Sequence, residues 1–340
     1  MQKVLFCGTF APGLEGLIEK YLEKRSKNIK IIQKAHGLIF FESTYSLHEL
    51  RQLKVFNALY LVIVKLQDGD FFDLSKRIQR VLANKKDTIR SYIKNKKFNL
   101  FFFENGKSLK INDEIYFSIA DSIRDSLGIH KSSNDGQLDI SVIKRSDIGV
   151  FAGIKIIKDE TIGKTRGMLP FALSYLISWY SEPKPDDVIC DPFFGYGGLA
   201  EARAKGFPFK KYIISDKSIE TKQFMVDFKK KLSNVEFYTS DVMTDGFKAE
   251  SNTVSRVLTD PPWGDFENID QIDNLYINII KEVNRVLKYG GKAVLIVSRD
   301  LSNFVSMKAS SGEYGKWKIF DRIDILISGK KASILKLEKI

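Results

Sequence analysis

The sequence predicts an α/β protein whose C-terminal half is an open, doubly wound sheet that ends in an antiparallel hairpin. Three observations support this prediction. A buried-type strand at residues 188–191 runs into a glycine-rich turn and then into an alanine-rich helix, which is the usual opening of such a sheet. Later β-rich runs end in acidic residues. Two last apolar runs, 319–327 and 332–337, are separated by a Ser-Gly-Lys-Lys turn and therefore predict a hairpin.

Residues 1–66 predict a small α/β module. Apolar, β-branched runs alternate here with a segment of helical spacing, and Ser46 is a favourable N-cap for a second helix. The predicted elements are strands at 4–6, 29–32 and 38–41 and helices at 14–22 and 46–53. No catalytic combination of side chains occurs in this stretch, so we interpret it as a packing and spacing module.

Residues 67–160 predict a second α/β module, which is rich in basic side chains. Strands are expected at 100–103, 138–143 and 150–157, with an amphipathic helix at 112–127. The basic run before them is either a solvated helix face or a surface that contacts an RNA backbone. Its members are Lys76, Arg77, Arg80, Lys85, Lys86, Arg90, Lys94, Lys96 and Lys97.

Bulk composition excludes several classes of protein. With 340 residues, 44% of them hydrophobic and 28% charged, the chain is expected to form two or three globular domains. Its longest apolar stretch, 55–66, is interrupted by Asn57 and Lys65 and is too short to span a bilayer. The N-terminus has no signal-peptide cleavage pattern. We therefore expect a cytoplasmic protein without a membrane partner.

The remaining bulk features concern metals, disulfides and charge. Two cysteines imply no disulfide framework and fit a reducing compartment. Three scattered histidines offer no metal-ligand spacing, so no metal site is expected. The net charge of +12 is compatible with a polyanionic partner, although lysine-rich surfaces also serve solubility.

Residues 161–340 form the third predicted domain, and its glycine-rich turn is the first candidate ligand site. Gly195-x-Gly197-x-x-Ala200 nearly satisfies a dinucleotide-binding pattern. Asp191 stands just ahead of these glycines, where its carboxylate would repel a pyrophosphate and attract the ammonium of an amino-acid moiety. This favours S-adenosylmethionine as the cofactor, and a nicotinamide dinucleotide remains the alternative.

Acidic residues also follow the next two predicted strands. Asp216 ends the strand 212–215, where a carboxylate can accept from ribose hydroxyls. Asp241 follows the strand 235–238, where it can accept from the exocyclic amine of an adenine. Each of these residues could instead be a helix cap. A helix with apolar residues at 272, 275, 279 and 283 is expected to stop at Gly290, before a central strand at 293–297.

The tetrapeptide Asp260-Pro261-Pro262-Trp263 ends the apolar run 257–259 and is the second candidate site. The two prolines remove backbone donors and fix φ, so the chain forms a stiff, extended corner at the end of a strand. This corner presents a carboxylate, free backbone carbonyls and an indole face. That combination suits a flat base with an exocyclic amine. The alternative is a Pro-Pro turn with a tryptophan in the core.

Residues 167–297 resemble the class I S-adenosylmethionine-dependent methyltransferases, and within them the THUMP-bearing guanine-N2 RNA methyltransferases. The matching segments are Arg166–Pro170, Asp191–Gly198 and Asp260–Gly264, in this order and spacing. The family's glycine loop usually has Cys, Ser and Thr where this chain has Phe194, Tyr196 and Gly198. The layout of residues 1–160 is similar to the ferredoxin-like plus THUMP-like arrangement of RNA-modifying enzymes.

The resemblance implies a Rossmann-like methyltransferase domain and a set of functional residues. The implied catalytic residues are Asp260, Pro261, Pro262 and Trp263. The implied residues for S-adenosylmethionine are Leu169, Pro170, Asp191, Pro192, Phe193, Gly195, Gly197, Asp216 and Asp241. No metal is implied.

These observations together predict an RNA methyltransferase that acts on an exocyclic base amine. Guanine-N2 of tRNA is the first expectation, and the choice of tRNA rests on the family resemblance alone. The alternatives are an adenine-N6 or rRNA methyltransferase, a DNA methyltransferase, a nicotinamide-dependent oxidoreductase and a non-catalytic RNA-binding protein.

Overall fold

The computed structural model describes residues 3–93, 97–131, 138–158, 167–264 and 272–340. The chain divides into two compact units. One lies within residues 1–10 and 15–159, and the other lies within residues 11–14 and 160–340. We describe each unit by itself.

The first unit is built on one mixed sheet with the strand order β2-β3-β1-β4-β9-β8-β5-β6, in which β7 also pairs with β5. The antiparallel pair β4–β9 joins the strands of residues 1–66 to those of residues 67–158. The two N-terminal modules that the sequence predicts therefore share a sheet, and their separation at residue 66 stays a prediction. The elements are β1 Val4–Thr9, α1 Glu15–Arg25, β2 Ile29–Ala35, β3 Leu38–Ser43, α2 Leu47–Arg51, β4 Ala58–Leu66, α3 Phe71–Arg90, β5 Lys97–Glu104, β6 Lys107–Ser108, α4 Asp113–Leu127, β7 His130–Lys131, β8 Leu138–Arg145 and β9 Gly149–Lys158.

The basic run of the sequence lies mainly on α3, whose apolar side is buried and whose basic side faces solvent. Asp70 caps this helix through backbone N–H groups of Phe72 and Asp73. Lys94 and Lys96 lie outside the described residues. Arg90 has a structural use, since its Nε and one Nη donate to the carbonyl of Leu127 at 3.1 and 2.9 Å. The exposed members include Lys76, Arg77, Arg80 and Lys85.

The second unit is a sheet with the order β12-β11-β10-β13-β14-β16-β15. The first five strands are parallel and the last two are antiparallel to their neighbours. The chain starts in the middle of the sheet, moves outward to one side, and returns to the other side at β13. The elements are α5 Phe171–Tyr180, β10 Val188–Asp191, α6 Gly198–Gly206, β11 Lys211–Asp216, α7 Lys222–Lys231, β12 Val235–Thr239, α8 Val242–Asp245, β13 Val254–Thr259, α9 Ile272–Val286, β14 Leu287–Ser298, α10 Arg299–Ser310, β15 Trp317–Ile327 and β16 Lys330–Lys339.

A buried polar network fixes the amino end of β10 beside β13. The carboxylate of Asp187 accepts from Ser255 Oγ at 2.7 Å and from Arg203 at 3.1 Å, and both Asp187 and Arg203 are fully buried. Ser255 in turn accepts from the backbone N–H of Val188 at 3.0 Å. Since a buried charge without a partner is costly, this network holds the two central strands in register.

One sequence expectation in this unit needs correction, and one helix was not expected. The helix α9 ends at Val286 and passes directly into β14, so Gly290 lies within the strand and does not terminate the helix. The sequence does not predict the helix α10, which follows β14 at once with Ser298 as its N-cap. The closing hairpin of β15 and β16 is confirmed. Among the described helices, none is both long and apolar enough to cross a membrane.

Candidate active site

Four acidic residues lie at the carboxyl edge of the second unit's sheet. Asp191 and Asp216 are the last residues of β10 and β11, Asp260 immediately follows β13, and Asp241 follows β12. Because these four strands are parallel neighbours, their carboxyl ends meet at the same edge. The strand order reverses between β10 and β13, and open α/β sheets bind their ligands at such a reversal.

The glycine turn after β10 is anchored to β11. Gly195 has φ +54°, and its backbone N–H donates to Asp216 Oδ2 at 2.8 Å. Phe194 N–H donates to the carbonyl of Ser215 at 3.0 Å. The space in front of Gly195 is open, since a Cβ there would meet no described atom within 4 Å. Gly197 has φ +81° and is the N-cap residue of α6. The turn therefore forms a cradle that leaves room for a ligand.

Packing bears on two of the three positions at which the turn departs from the resembling family's usual residues, Phe194 and Gly198. A Cβ on Gly198 would lie 3.0 Å from the Leu169 carbonyl oxygen and 3.1 Å from Met168 Cγ, which disfavours any larger residue. Phe194 is buried against Phe228 of α7, with ring centroids 5.6 Å apart, and its ring lies directly beneath Gly197. The larger side chain at position 194 thus fills the space under the turn.

Asp191 is almost fully buried. Its Oδ1 accepts from Thr259 Oγ1 at 2.8 Å and from the backbone N–H of Phe193 at 3.2 Å. Burial raises the pKa of Asp191 to about 7, these two hydrogen bonds oppose the rise, and the carboxylates of Asp216 and Asp260 add to it. A cation brought to this site would stabilise the charged form.

Asp216 is half-buried and both of its oxygens already have backbone donors. Oδ2 accepts from Gly195 N–H, and Oδ1 accepts from Ser218 N–H at 2.9 Å. Each carboxylate oxygen can accept a second hydrogen bond, so the side chain can still bind hydroxyl groups. Its expected contact with ribose stays a prediction.

Asp241 is a helix cap, which is one of the two roles that the sequence allows. Its Oδ1 accepts from Met243 N–H at 2.8 Å at the start of α8. The side chain also lines an open depression of about 500 Å³ beside the ends of β11 and β12. The other lining residues are Lys217, Ser218, Thr239, Ser240 and Asp245. The capping role therefore leaves it accessible to a ligand.

The Asp-Pro-Pro-Trp corner lies at the end of β13, beside the glycine turn. Trp263 is half-buried, so the interpretation as a core tryptophan is wrong. Its Nε1 donates to Asp260 Oδ1 at 3.0 Å and approaches the carbonyl of Ile296 on β14 at 3.3 Å. Burial raises the pKa of Asp260 to about 7, and the hydrogen bond from Trp263 opposes that rise.

One expectation for this corner needs correction. The sequence predicts free backbone carbonyls, but Pro262 O accepts from the hydroxyl of Tyr276 at 2.9 Å. Tyr276 lies on α9 and is fully buried, which raises its pKa well above the usual value. Pro261 is buried at the same corner. The sequence does not reveal Tyr276 or Thr259 as site residues, because each occupies an apolar-type position in its helix or strand.

The remaining candidate residues border the turn. Leu169 is buried and its carbonyl lies against Gly198, whereas Pro170 occupies the N-cap position of α5. Pro192 is buried, and Phe193 packs against the core below the sheet edge. Arg166 lies outside the described residues. Among the described residues, no group of three or more His, Cys, Asp or Glu side chains is arranged to hold a metal ion.

No protein-family model and no curated protein matches the chain. Solved structures do. The chain is similar to TrmN from Thermus thermophilus over 100% of both chains, with a TM-score of 0.77 and 17% identity. It is also similar to SMU.472, solved in complex with SAH, over 100% of this chain and 99% of that one, with a TM-score of 0.69 and 11% identity.

A third similar structure is that of a predicted N6-adenine-specific DNA methylase from Listeria monocytogenes str. 4b F2365. The match covers 99% of this chain and 96% of that one, with a TM-score of 0.66 and 14% identity. At these identities the similarity concerns the fold. The chain thus has the α/β fold that the sequence predicts, in which a Rossmann-like sheet is preceded by N-terminal α/β elements.

Proposed function

We propose that the protein is an S-adenosylmethionine-dependent methyltransferase that modifies an exocyclic amine of an RNA base, with guanine-N2 of tRNA as the first candidate. The observation that supports this most is the Asp260–Trp263 corner, which lies at the same sheet edge as the glycine turn. The corner offers a partly buried carboxylate and a half-exposed indole. The carboxylate can accept hydrogen bonds from a base amine, and the indole can stack on a base ring.

The residues at the sheet edge fit the proposed cofactor. The open space before Gly195 can receive its amino-acid part, and Asp191, at the end of the strand that leads into the turn, can supply a counter-charge. Asp216 can accept from ribose hydroxyls, and the depression lined by Asp241 can receive the base. S-adenosylmethionine supplies a methyl group on a sulfonium, which is already activated for in-line attack.

The side chains of the corner can then assist the substrate amine. An exocyclic base amine is a weak nucleophile because its lone pair is delocalised into the ring. Asp260 and the Pro261 carbonyl would accept its N–H groups and favour a pyramidal nitrogen as the new bond forms. After alkylation the nitrogen has an extra proton, and an Asp260 carboxylate with a pKa of about 7 can accept it. Stacking on Trp263 would contribute about 1–3 kcal/mol.

The choice of RNA rests on the first unit and on the similar structures. The exposed basic side of α3 can neutralise phosphates, as the THUMP-like layout implies. TrmN is among the similar structures. A base within a duplex would have to be flipped out or presented in a loop before it reaches the corner.

A second candidate is adenine-N6 methylation. The corner does not by itself distinguish two amines on flat bases, and one similar structure is described as an N6-adenine-specific DNA methylase. The two reactions would use Asp260 in the same way, and they differ only in the methylated base that they produce.

The test is incubation of the protein with labelled S-adenosylmethionine and, in parallel, total RNA, purified tRNA or genomic DNA. Nucleoside analysis of the labelled fraction identifies the modified base. We expect label in N2-methylguanosine from tRNA, and Asp260→Ala serves as the inactive control. Label in N6-methyladenine would show that the substrate base is adenine and not guanine. Absence of label together with tight NADH binding would favour the oxidoreductase instead.

A further inference from the structure

The side chains of Asp260 and Trp263 are joined within their own tetrapeptide. The indole Nε1 donates to Asp260 Oδ1 at 3.0 Å and approaches the carbonyl oxygen of Ile296 at 3.3 Å, so the N–H is shared between a carboxylate and β14. Both side chains are partly exposed at the edge of the sheet. The hydrogen bond thus lies inside the candidate site.

Of the side chains Phe, Tyr and Trp, only Trp has an N–H within its ring system that can make this hydrogen bond. The rings of Tyr, Phe and Trp can each stack on a base. A phenyl ring has no donor, and the tyrosine hydroxyl stands at the far end of its ring. The indole N–H, by contrast, lies in the ring itself. Stacking alone therefore does not account for the geometry at position 263.

The corner is also fixed from its other side. The buried hydroxyl of Tyr276 donates to Pro262 O at 2.9 Å, which ties the tetrapeptide to α9. The indole N–H ties it to β14. Asp260 consequently stands on a corner that is held by α9 and β14, and its Oδ1 already accepts a hydrogen bond from Trp263. Among the described residues, Asp260 Oδ2 has no hydrogen-bond donor.

We propose that Trp263 is a positioning residue for Asp260: its indole N–H holds Oδ1, and Oδ2 is the oxygen that receives the substrate amine. This inference rests on the proposed function and specifies how its carboxylate is presented. Trp263 would thus have two uses, as a stacking surface and as the donor that orients Asp260.

The hydrogen bond should also set the charge state of Asp260. Among the described residues, the titratable groups that face it are Asp191 at the end of β10 and Tyr276 on α9, and Tyr276 remains neutral because burial raises its pKa. A donor to a carboxylate stabilises the charged form. Removal of the indole N–H should therefore raise the pKa of Asp260 above its present value of about 7.

The first test needs no activity. In full-length protein with ¹⁵N-labelled indole groups, the Trp263 resonance is identified by its loss in Trp263→Phe. We expect its shift to follow the Asp260 carboxyl with a midpoint near pH 7, and to become independent of pH in Asp260→Asn. The matched control is the Trp317 resonance, since that indole donates to the Tyr314 carbonyl at 3.2 Å. A Trp263 resonance whose shift is the same in the parent protein and in Asp260→Asn from pH 5 to 9 would overturn the proposal.

The second test uses methyl transfer. We expect the acid limb of kcat/KM in Trp263→Phe to move to higher pH by about one unit, the size of one hydrogen bond to a charged group. Trp317→Phe, which also loses an indole N–H, should not move it. An unshifted limb in an active Trp263→Phe enzyme would contradict the positioning role. The protein could also methylate no nucleic acid while the Trp263 resonance still follows the titration of Asp260. That result would support the hydrogen bond between Asp260 and Trp263 and overturn the proposed function.

Discussion

Thr259 Oγ1 donates a hydrogen bond of 2.8 Å to Asp191 Oδ1 and so joins the carboxyl ends of β13 and β10. Both side chains are fully buried. The strand that ends in the proposed substrate corner is thereby connected to the strand that opens the proposed cofactor turn. Because the two carboxyl groups at these strand ends both have a pKa raised to about 7, small changes in hydrogen bonding here should change their charge at neutral pH.

We predict that Thr259→Val weakens S-adenosylmethionine binding in a pH-dependent way. Removal of this donor raises the pKa of Asp191 further, so less of the carboxylate is charged at neutral pH. The affinity should fall about three- to tenfold at pH 6.5–7, the range for one hydrogen bond, and much less at pH 8.5. Calorimetric titration at several pH values measures this.

The control for Thr259→Val is Thr253→Val, where an exposed threonine donates to the Glu250 carbonyl. It should leave the binding unchanged. An equal loss of affinity by Thr259→Val at every pH would contradict a charge effect and would indicate a packing defect.

We predict that Asp191→Asn stabilises the cofactor-free protein at high pH. Its folded pKa of about 7 lies above the value of the unfolded chain, so the folded state binds more protons between these two values. The contribution of Asp191 to stability is present below about pH 4 and is lost as the pH rises through 7. The variant, whose amide oxygen can still accept from Thr259, should gain on the order of 1–2 kcal/mol at pH 8 and little at pH 4.

Thermal unfolding of Asp191→Asn and the parent protein at pH 4–8 checks this sign. The control is the same change at an exposed carboxylate, Asp300→Asn, measured over the same pH range. A Tm difference that shrinks with rising pH would contradict the prediction.

We predict that Asp260→Ala and Asp216→Ala fail at different steps. Asp260→Ala removes the acceptor for the substrate amine, and kcat should fall by about 10²–10³ while the cofactor Kd changes little. Asp216→Ala removes the acceptor of Gly195 and Ser218 N–H groups, so the cofactor Kd should rise first. Comparison of cofactor titration with single-turnover methyl transfer separates them. Loss of cofactor binding in Asp260→Ala would contradict this division of roles.

Much of this site follows from local sequence. The glycine turn, the acids at strand ends and the Asp-Pro-Pro-Trp corner were predictable because each depends on residues that adjoin one strand. Their meeting at one edge follows from the parallel strand order, which the alternation of strands and helices predicts. The capping of α2 by Ser46 was also predictable, since the cap and its box lie within four residues.

The interactions made across the fold were not predictable in this way. The hydrogen bond from Tyr276 to Pro262 O depends on how α9 is positioned against the corner. In the sequence, Tyr276 looks like any other residue on the buried face of an amphipathic helix. Likewise, the indole of Trp263 reaches the carbonyl of Ile296 only because β14 pairs with β13. The end of α9 at Val286 differs from the expected glycine stop because β14 begins at Leu287 and pairs with Val254.

We predict that the basic side of α3 contributes to RNA binding. The triple change Lys76→Gln, Arg77→Gln and Arg80→Gln removes three exposed cations from one helix. If they bind phosphates, tRNA affinity should fall tenfold or more at low salt, roughly uniformly across RNA sequences. The slope of log K against log salt should become shallower by about one for each phosphate that is no longer neutralised.

The matched control for that variant is Lys229→Gln, Lys230→Gln and Lys231→Gln in the last turn of α7. A crossover helix runs antiparallel to its strands, so this turn lies at the amino edge of the sheet, opposite the candidate site. We expect its tRNA affinity and salt slope to stay near those of the parent protein. Equal effects of the two triple changes would show a non-specific charge effect and would argue against α3 as an RNA-binding surface.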